Sequence, residues 1–346
     1  MTIRSTTPTF PTRSGAPATR RARLARRAAA ACAAAAMLLP AAACGSASDA
    51  KPAADGGADT VRVAYLSTAN YLTTLKDDNA ALKAMEPYQA DFSGPFNPPD
   101  DAYQVVMSGR ADASSTGTGH FINLVSQGAP WVAFAIEWYD GDSQGIVAAP
   151  GSGVTSLKDL YGKRVGIDKK GATGDYVLRA AFAHAGLDYA KVEKVELSQT
   201  DFAAAFSSGR IDALATYDQN LAAAIATPGA KLLVTGDEYD SKNVSLHMVS
   251  KDFADAHPEA VKALYRALVA ESDAAAKDPG FIYEAYRRFG ASEQIVDQIK
   301  GFDVPKILPV DAKGRGMLED IARQYVDFGF IDAMPDLDGH VLDCTK

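Results

Sequence analysis

The chain reads as an α/β protein made of two doubly wound halves, and three observations predict it. From residue 61 onward, short β-rich runs alternate with helical stretches, the syntax of parallel βαβ units. That syntax pauses at the Gly/Pro-rich SGPFNPPDD (93–101) and restarts after a second break at PGSGVTS (150–156). Two passages, VMSGRADASSTGTG (106–119) and FSSGRIDALATYDQ (206–219), share a helix end, Ser-Gly-Arg, x-Asp-Ala and a strand, so the second half echoes the first.

Each element follows from local pattern. VRVAYL (61–66) alternates and predicts a strand, followed by a helix over 73–85 and a strand near 88–92. After the first break come a helix (101–108), a strand (111–115), a helix (119–127) and a strand (131–137). The second half opens with a short helix at LKDLYG, then strand KRVGID (163–168), helix 174–186 and a strand near 192–197. Helix 200–208, strand 211–216, helix 218–226 and strand 231–236 complete it. Gly109 and Gly209 are placed to end their helices in the left-handed conformation that glycine tolerates. Past 250 the chain is helical (251–275, 279–288, 292–299 and 313–328), with Asp252 and Ser292 as N-caps and Pro258 in an early turn.

The N-terminus has a different character. Arg20, Arg21, Arg23, Arg26 and Arg27 precede a mostly apolar run from Ala28 to Ala43, too short to span a bilayer as a stable helix. This is an export signal over 1–43, and the Gly/Ser/Ala/Asp-rich stretch through 59 is a flexible tether. Removing the signal takes seven of the 35 basic residues and no acid, leaving 28 against 43 acidic residues, a net charge near −15. Such a chain lacks the basic footprint nucleic acid demands, and it does not dock on anionic lipid by charge alone. Cys32 leaves with the signal, and no CxxC or HExxH spacing occurs, so no structural zinc and no cofactor is expected. Cys44 and Cys344 remain; no nucleophile–base pair or GxSxG is visible, which argues against an enzyme.

Two resemblances refine this reading. Cys44 directly after Ala-Ala-Ala resembles the lipobox of bacterial lipoproteins, with Ala41 where leucine is usual, and implies a lipid on Cys44 and a membrane-anchored protein facing outward; an ordinary cleaved signal is the alternative. TRRARLA is similar to a twin-arginine signal, leaving the export route open. VRVAYL, SGRADASSTGTGHF and the run SLKDLYGKRVGIDKKGATGDYVLRAAFAHAGLDYAKVEKVELSQTDFAAAFSSGRIDALATYDQNLAAA (156–224) resemble the periplasmic binding-protein fold. Within it, they are similar to the sulfonate, taurine and nitrate group of solute-binding proteins for ABC importers, the resemblance covering residues 60–335. It implies two lobes joined by a two-strand hinge near 143–150 and 243–250. One lobe is then 60–146 with 247–346, its helical C-terminal segment packed on it, and the other is 147–246. It also implies a monomer that closes on a small solute and presents it to an ABC permease and its cytoplasmic ATPase. The alternatives are a sensor for a membrane kinase, the same fold binding a thiamine-precursor pyrimidine or other amino-heterocycle, and an enzyme acting on such a compound.

Ligands of open α/β sheets bind at the carboxyl ends of strands. Four loops qualify: Ser67, Thr68 and Asn70; Ser115, Thr116, Gly117 and Thr118; Gly171, Ala172, Thr173 and Gly174; and Tyr217, Asp218 and Gln219. The second and third open helices, whose free N–H groups and positive dipole ends suit a sulfonate or carboxylate, although serine and threonine there also serve as plain caps. Asp175 stands where the resembled family commonly has histidine, and Tyr217-Asp218-Gln219 where it has W-x-P. Facing the site, these acids, with Glu137, Asp140 and Asp142 in AIEWYDGDSQG, favour a ligand carrying a positive or hydrogen-donating group, a zwitterion such as taurine or an amino-heterocycle over nitrate; the alternatives are that Asp175 only matches the helix dipole and that 137–142 is a solvated loop. Tyr71, Tyr103, Trp138, Tyr139, Tyr176 and Tyr217 are candidates for an aromatic wall, and His120 for a cap partner beside the second loop.

Overall fold

The computed structural model describes residues 59–239, 241 and 243–346. The predicted export signal, Cys44 and the tether up to residue 58 lie outside the described residues. Among the described residues, no helix is long and apolar enough to cross a membrane.

In chain order the first half is β1 (Thr60–Leu66), α1 (Tyr71–Thr74), α2 (Asn79–Leu82), β2 (Gln89–Phe96), α3 (Pro99–Met107), β3 (Ala113–Gly117), α4 (Thr118–Ser126) and β4 (Trp131–Tyr139). The single helix predicted over 73–85 is broken, because Asp78 turns its carboxylate back to the amides of Ala80 and Ala81 and starts α2 afresh. The second half is β5 (Gln144–Ala148), β6 (Arg164–Ile167), α5 (Thr173–His184), β7 (Glu193–Glu196), α6 (Phe202–Ser207), β8 (Ala213–Tyr217), α7 (Asp218–Ala226) and β9 (Lys231–Thr235). The chain then returns through β10 (Asn243–Ser250), α8 (Lys251–Ala256), α9 (Pro258–Ala275), α10 (Gly280–Arg288), α11 (Glu293–Ile299), β11 (Lys306–Pro309) and α12 (Ala312–Asp327).

The helix predicted over 251–275 is therefore two. Pro258 has no N–H and disfavours helix at the residue before it, so His257 sits outside helical geometry and α9 begins with the proline. Ser250, rather than Asp252, caps α8 by accepting from Phe253 N. The short β11, which has no alternating signature, pairs antiparallel with β4.

The two sheets share one plan. Their strand orders are β11-β4-β10-β3-β1-β2 and β7-β6-β8-β5-β9. In each, three parallel strands are followed by one reversed strand that has come from the other half: β10 lies antiparallel between β3 and β4, and β5 between β8 and β9. The repeated Ser-Gly-Arg-x-Asp passage builds the same joint in both halves. Gly109 and Gly209 end α3 and α6 at φ of 70° and 69°. Asp112 then receives the main-chain N–H and guanidinium of Arg62, and Asp212 those of Arg164, at 2.6–3.1 Å.

Both faces of each sheet are covered, as a doubly wound fold requires. Along β4, Val132 and Phe134 enter the core beneath α9, while Trp131, Ala133 and Ile136 enter the core beneath α3 and α4, which explains an unbroken apolar run in a strand. Cys344 is a buried free thiol in the first of these cores. The segments crossing between sheets touch one another. A Cβ on Gly141 would lie 2.3 Å from Asp237 N, and one on Gly236 would lie 2.4 Å from Ser241 O, so only glycine permits this approach.

Candidate functional site

Between the two sheets lies a cavity of about 420 Å³, walled from both halves at the carboxyl ends of their strands. One face of β10 helps build its floor. Asn243, Ser245 and His247 alternate with the apolar Val244, Leu246 and Met248, and Asn243 and Ser245 open onto the cavity. His247 lies beneath, fully buried, its Nδ1 3.0 Å from Ser115 Oγ.

Of the residues singled out from sequence, Ser67, Thr68, Asn70, Ser115, Thr116, Gly117, Thr173, Tyr217 and Asp218 line this one cavity. Thr118, Ala172, Gly174, Asp175 and Glu137 do not. Thr118 turns its hydroxyl to Val244 O at 2.7 Å. Glu137 is fully buried: its carboxylate accepts from Tyr71 N at 3.0 Å and Tyr139 OH at 2.5 Å, and lies 2.9 Å from His247 Nε2 but out of line for a hydrogen bond. It holds the first half together from behind the cavity wall. Asp175, also fully buried, accepts from Gly171 N at 2.9 Å and from the hydroxyl of Tyr189.

Among the aromatic candidates, Tyr103, Tyr139 and Tyr217 line the cavity. Tyr71 is core, its hydroxyl donating to Pro305 O at 2.7 Å. Trp138 packs against the core beneath α3 and α4. Tyr176 stacks on Tyr325 of α12, with ring centres 5.4 Å apart. His120 lies over Tyr103 and 3.7 Å from Asp100, its pKa lowered by burial.

The two helix starts predicted to hold an anion differ in their electrostatics. At α4 the cap position is Gly117, no side chain receives the first amides, and the first turn carries no acid. At α5, Asp168 accepts from Gly174 N at 3.1 Å and Lys169 N at 2.9 Å, and Asp175 closes the preceding turn. Burial pushes the Asp168 carboxyl up to about 6, opposed by those amides and by Tyr217, whose hydroxyl reaches it at 3.3 Å. The positive end of α5 is thus already matched by carboxylates.

At the start of α7, Asp218 opens onto the cavity with φ of 49°, a left-handed conformation rare outside glycine. Its Oδ1 accepts from Asn243 Nδ2 at 2.7 Å, and Asn243 also reaches Ser143 on the outgoing crossing at 3.2 Å. Burial, then the charge of Glu137, pushes the Asp218 carboxyl up to about 7. Among the described residues, no lysine, arginine or histidine side chain lines the cavity.

Sequence reasoning missed Phe96, Asn97 and Pro99 at the entry to α3, Gln199 and Thr200 after β7, Asn220 of α7, Asn243 and Ser245, and Tyr286 of α10 with Phe289 at its end. Alternation in NVSLHMVS could have found the β10 pair, and the strand-end rule the β7 loop. Tyr286 and Phe289 arrive by tertiary packing and leave no local signal.

The NMT1/THI5-like family model matches residues 91–281. A putative aliphatic sulfonates-binding protein of Escherichia coli (strain K12) is 27% identical over 152 residues, 44% of this chain and 47% of its own length. The taurine-binding periplasmic protein of the same organism is 27% identical over 200 residues, 55% of this chain and 61% of its own. The chain thus spans between about half and three-fifths of these curated relatives. The crystal structure of the periplasmic aliphatic sulphonate binding protein from Escherichia coli superposes with a TM-score of 0.71 at 19% identity, covering 82% of this chain and 97% of that one. A desulfurization enzyme, DSZB, shares the fold at a TM-score of 0.62 and 18% identity, covering 82% and 96%.

Proposed function

The chain belongs to the NMT1/THI5-like family, and from that premise we propose that it is the extracytoplasmic solute-binding component of an ABC importer. Its ligand is a small sulfonate or taurine-like zwitterion held between the halves. The anionic end sits at the start of α4, where unmatched amides and the helix dipole meet the cavity at Thr116 and Gly117. That open helix start, in a cavity that no cationic side chain lines among the described residues, is the observation that carries the reading. The sulfonate- and taurine-binding relatives support it.

Two lobes, divided near residues 146 and 247, close over the solute, because a ligand bridging both favours the closed state. A permease then reads closure. A lipid on Cys44 holds the monomer at the outer face of the membrane.

The test is thermal melting of the purified protein with ethanesulfonate, taurine, nitrate, sulfate and a hydroxymethylpyrimidine. A ligand at 100 times its Kd stabilises by about 2.7 kcal/mol, which raises the melting temperature by several degrees. A sulfonate or taurine is expected to do so. A shift with the pyrimidine alone overturns this reading in favour of an amino-heterocycle, a ligand that the aromatic rings of Tyr103, Tyr217 and Tyr286 would also suit.

A further inference from the structure

We infer that Asp218, Tyr139 and Tyr286 form a second subsite, one that takes a substituted ammonium group, so that the ligand is an N-alkylated aminoalkanesulfonate. This rests on the sulfonate reading above and names its substrate class.

The anion end and Asp218 are set apart along one strand. Gly117, the cap of α4, pairs with Ser245 of β10, and Asn243, two residues away on the same face, donates to Asp218. Two residues of strand span roughly 7 Å, so a ligand bridging both subsites carries its cation a few bonds from its anion. Among the described residues the cavity is lined by one carboxylate, Asp218, and by no basic side chain, so it offers a cation a partner.

The surroundings of Asp218 select the kind of cation. A primary ammonium brings three N–H donors and needs as many acceptors. Asp218, one oxygen of which already accepts from Asn243, still offers lone pairs, as do the hydroxyl oxygens of Tyr139 and Tyr217 while they donate to Glu137 and Asp168, so what distinguishes this site is the carbon around it. Aromatic carbon remains as wall, which suits an alkylated ammonium through its attraction to ring faces. Tyr139, Asp218 and Tyr286 are also shared walls of a small side pocket of about 20 Å³, closed by Pro279, Ile282 and Phe302. That is room for roughly one water-sized group, the size of an N-methyl substituent.

Asparagine tolerates left-handed backbone and can accept from Asn243 as aspartate does, so Asp218→Asn removes charge while keeping the local geometry. Calorimetry at pH 8 would compare propanesulfonate, 3-aminopropanesulfonate and 3-(trimethylammonio)propanesulfonate on the wild-type protein, Asp218→Asn and Tyr286→Leu. The trimethylated probe is expected to bind tightest, about tenfold better than propanesulfonate. Asp218→Asn should erase that advantage, while propanesulfonate, relieved of a nearby like charge, should bind no more weakly than before. Tyr286→Leu should weaken the trimethylated probe more than the primary amine. A primary amine that binds tightest overturns the inference, as does an equal loss for all three probes in Asp218→Asn; in both cases the sulfonate reading stands. If no probe binds the wild-type protein, the sulfonate reading itself falls and takes this inference with it.

Discussion

Two helices begin at the cavity with nearly the same letters, STGT before α4 and GATG before α5, yet they present opposite faces to a solute. The amides at the start of α4 have no side-chain partner, whereas at α5 one of them, Gly174 N, donates to Asp168, with Asp175 closing the turn behind. Small hydroxyl residues and glycines therefore make a helix start approachable without making it positive. What decides is whether a carboxylate lies within hydrogen-bonding reach, and for α5 the nearer one comes from the end of β6, five residues before the helix. The halves share a topology and an Arg–Asp joint but bring different charge to the cavity, an uncapped helix start from the first and Asp218 from the second.

The contrast is broken most forcefully by making α4 resemble α5. Gly117 has φ of −70° and ψ of 146°, a conformation open to any residue, and its Cβ would meet only the rotatable Thr173 hydroxyl, at 2.9 Å. Gly117→Asp supplies the missing cap and places a charge where the sulfonate should sit. Like charges in contact cost several kcal/mol, so sulfonate affinity should fall by about a hundredfold or more. Aspartate is a favourable N-cap, so melting without ligand should hold or rise. Undiminished binding by titration calorimetry would place the anion elsewhere.

The opposite end of the cavity should respond to pH. The Asp218 carboxyl is pushed up to about 7 by burial first, then by Glu137 and Asp142, against the hydrogen bond from Asn243; Tyr139, Tyr217 and Tyr286 complete its surroundings. An ammonium prefers the ionised form. Affinity for a trimethylated aminosulfonate should therefore drop about fivefold from pH 8 to pH 6, as protonation converts most of the carboxylate to a form that binds about tenfold more weakly. Propanesulfonate, which meets no cationic requirement, should hold its affinity or gain. Parallel titrations that move together would show that Asp218 does not face the cation.

The same contrast marks how far the sequence could be read. Alternating strands and helices, the two Gly/Pro breaks and the echoed SGR-x-D passage carry nearly the whole fold, because period and turn chemistry are local. The echo is legible even to its glycine φ values. The four strand-end loops that reach the cavity were likewise legible, since strand ends can be counted. Glu137 and Asp175 misled because an acid's partner is set by tertiary packing. The hydroxyls of Tyr139 and Tyr189 and the amides of Tyr71 and Gly171 lie too far away, or look too ordinary, to be read as claims on those carboxylates. The breaks at Asp78 and His257 were legible in principle, through a capping aspartate and a proline, but a continuous apolar pattern outweighed them.

The smallest expected effect tests α5 itself. Asp168→Asn keeps an oxygen for the amides of Lys169 and Gly174 and removes the charge that matches the helix. With that carboxyl pushed up to about 6 by burial, the wild type carries the charge at pH 8 and has mostly lost it at pH 5. The variant should bind propanesulfonate a few-fold more tightly than wild type at pH 8, with no difference at pH 5, the scale of a partly screened charge near a helix end. Stability should move in step. A carboxyl raised in the folded state leaves the wild type at its most stable below the unfolded value near 3.8, and that stability is lost as pH climbs through about 6. Asp168→Asn should therefore melt higher than wild type at pH 8, and the gap should close towards pH 4. A variant that melts lower at both pH values would mean the carboxylate is worth more as a cap than its burial costs. The positive end of α5 would then be matched by design of the fold, whatever the ligand.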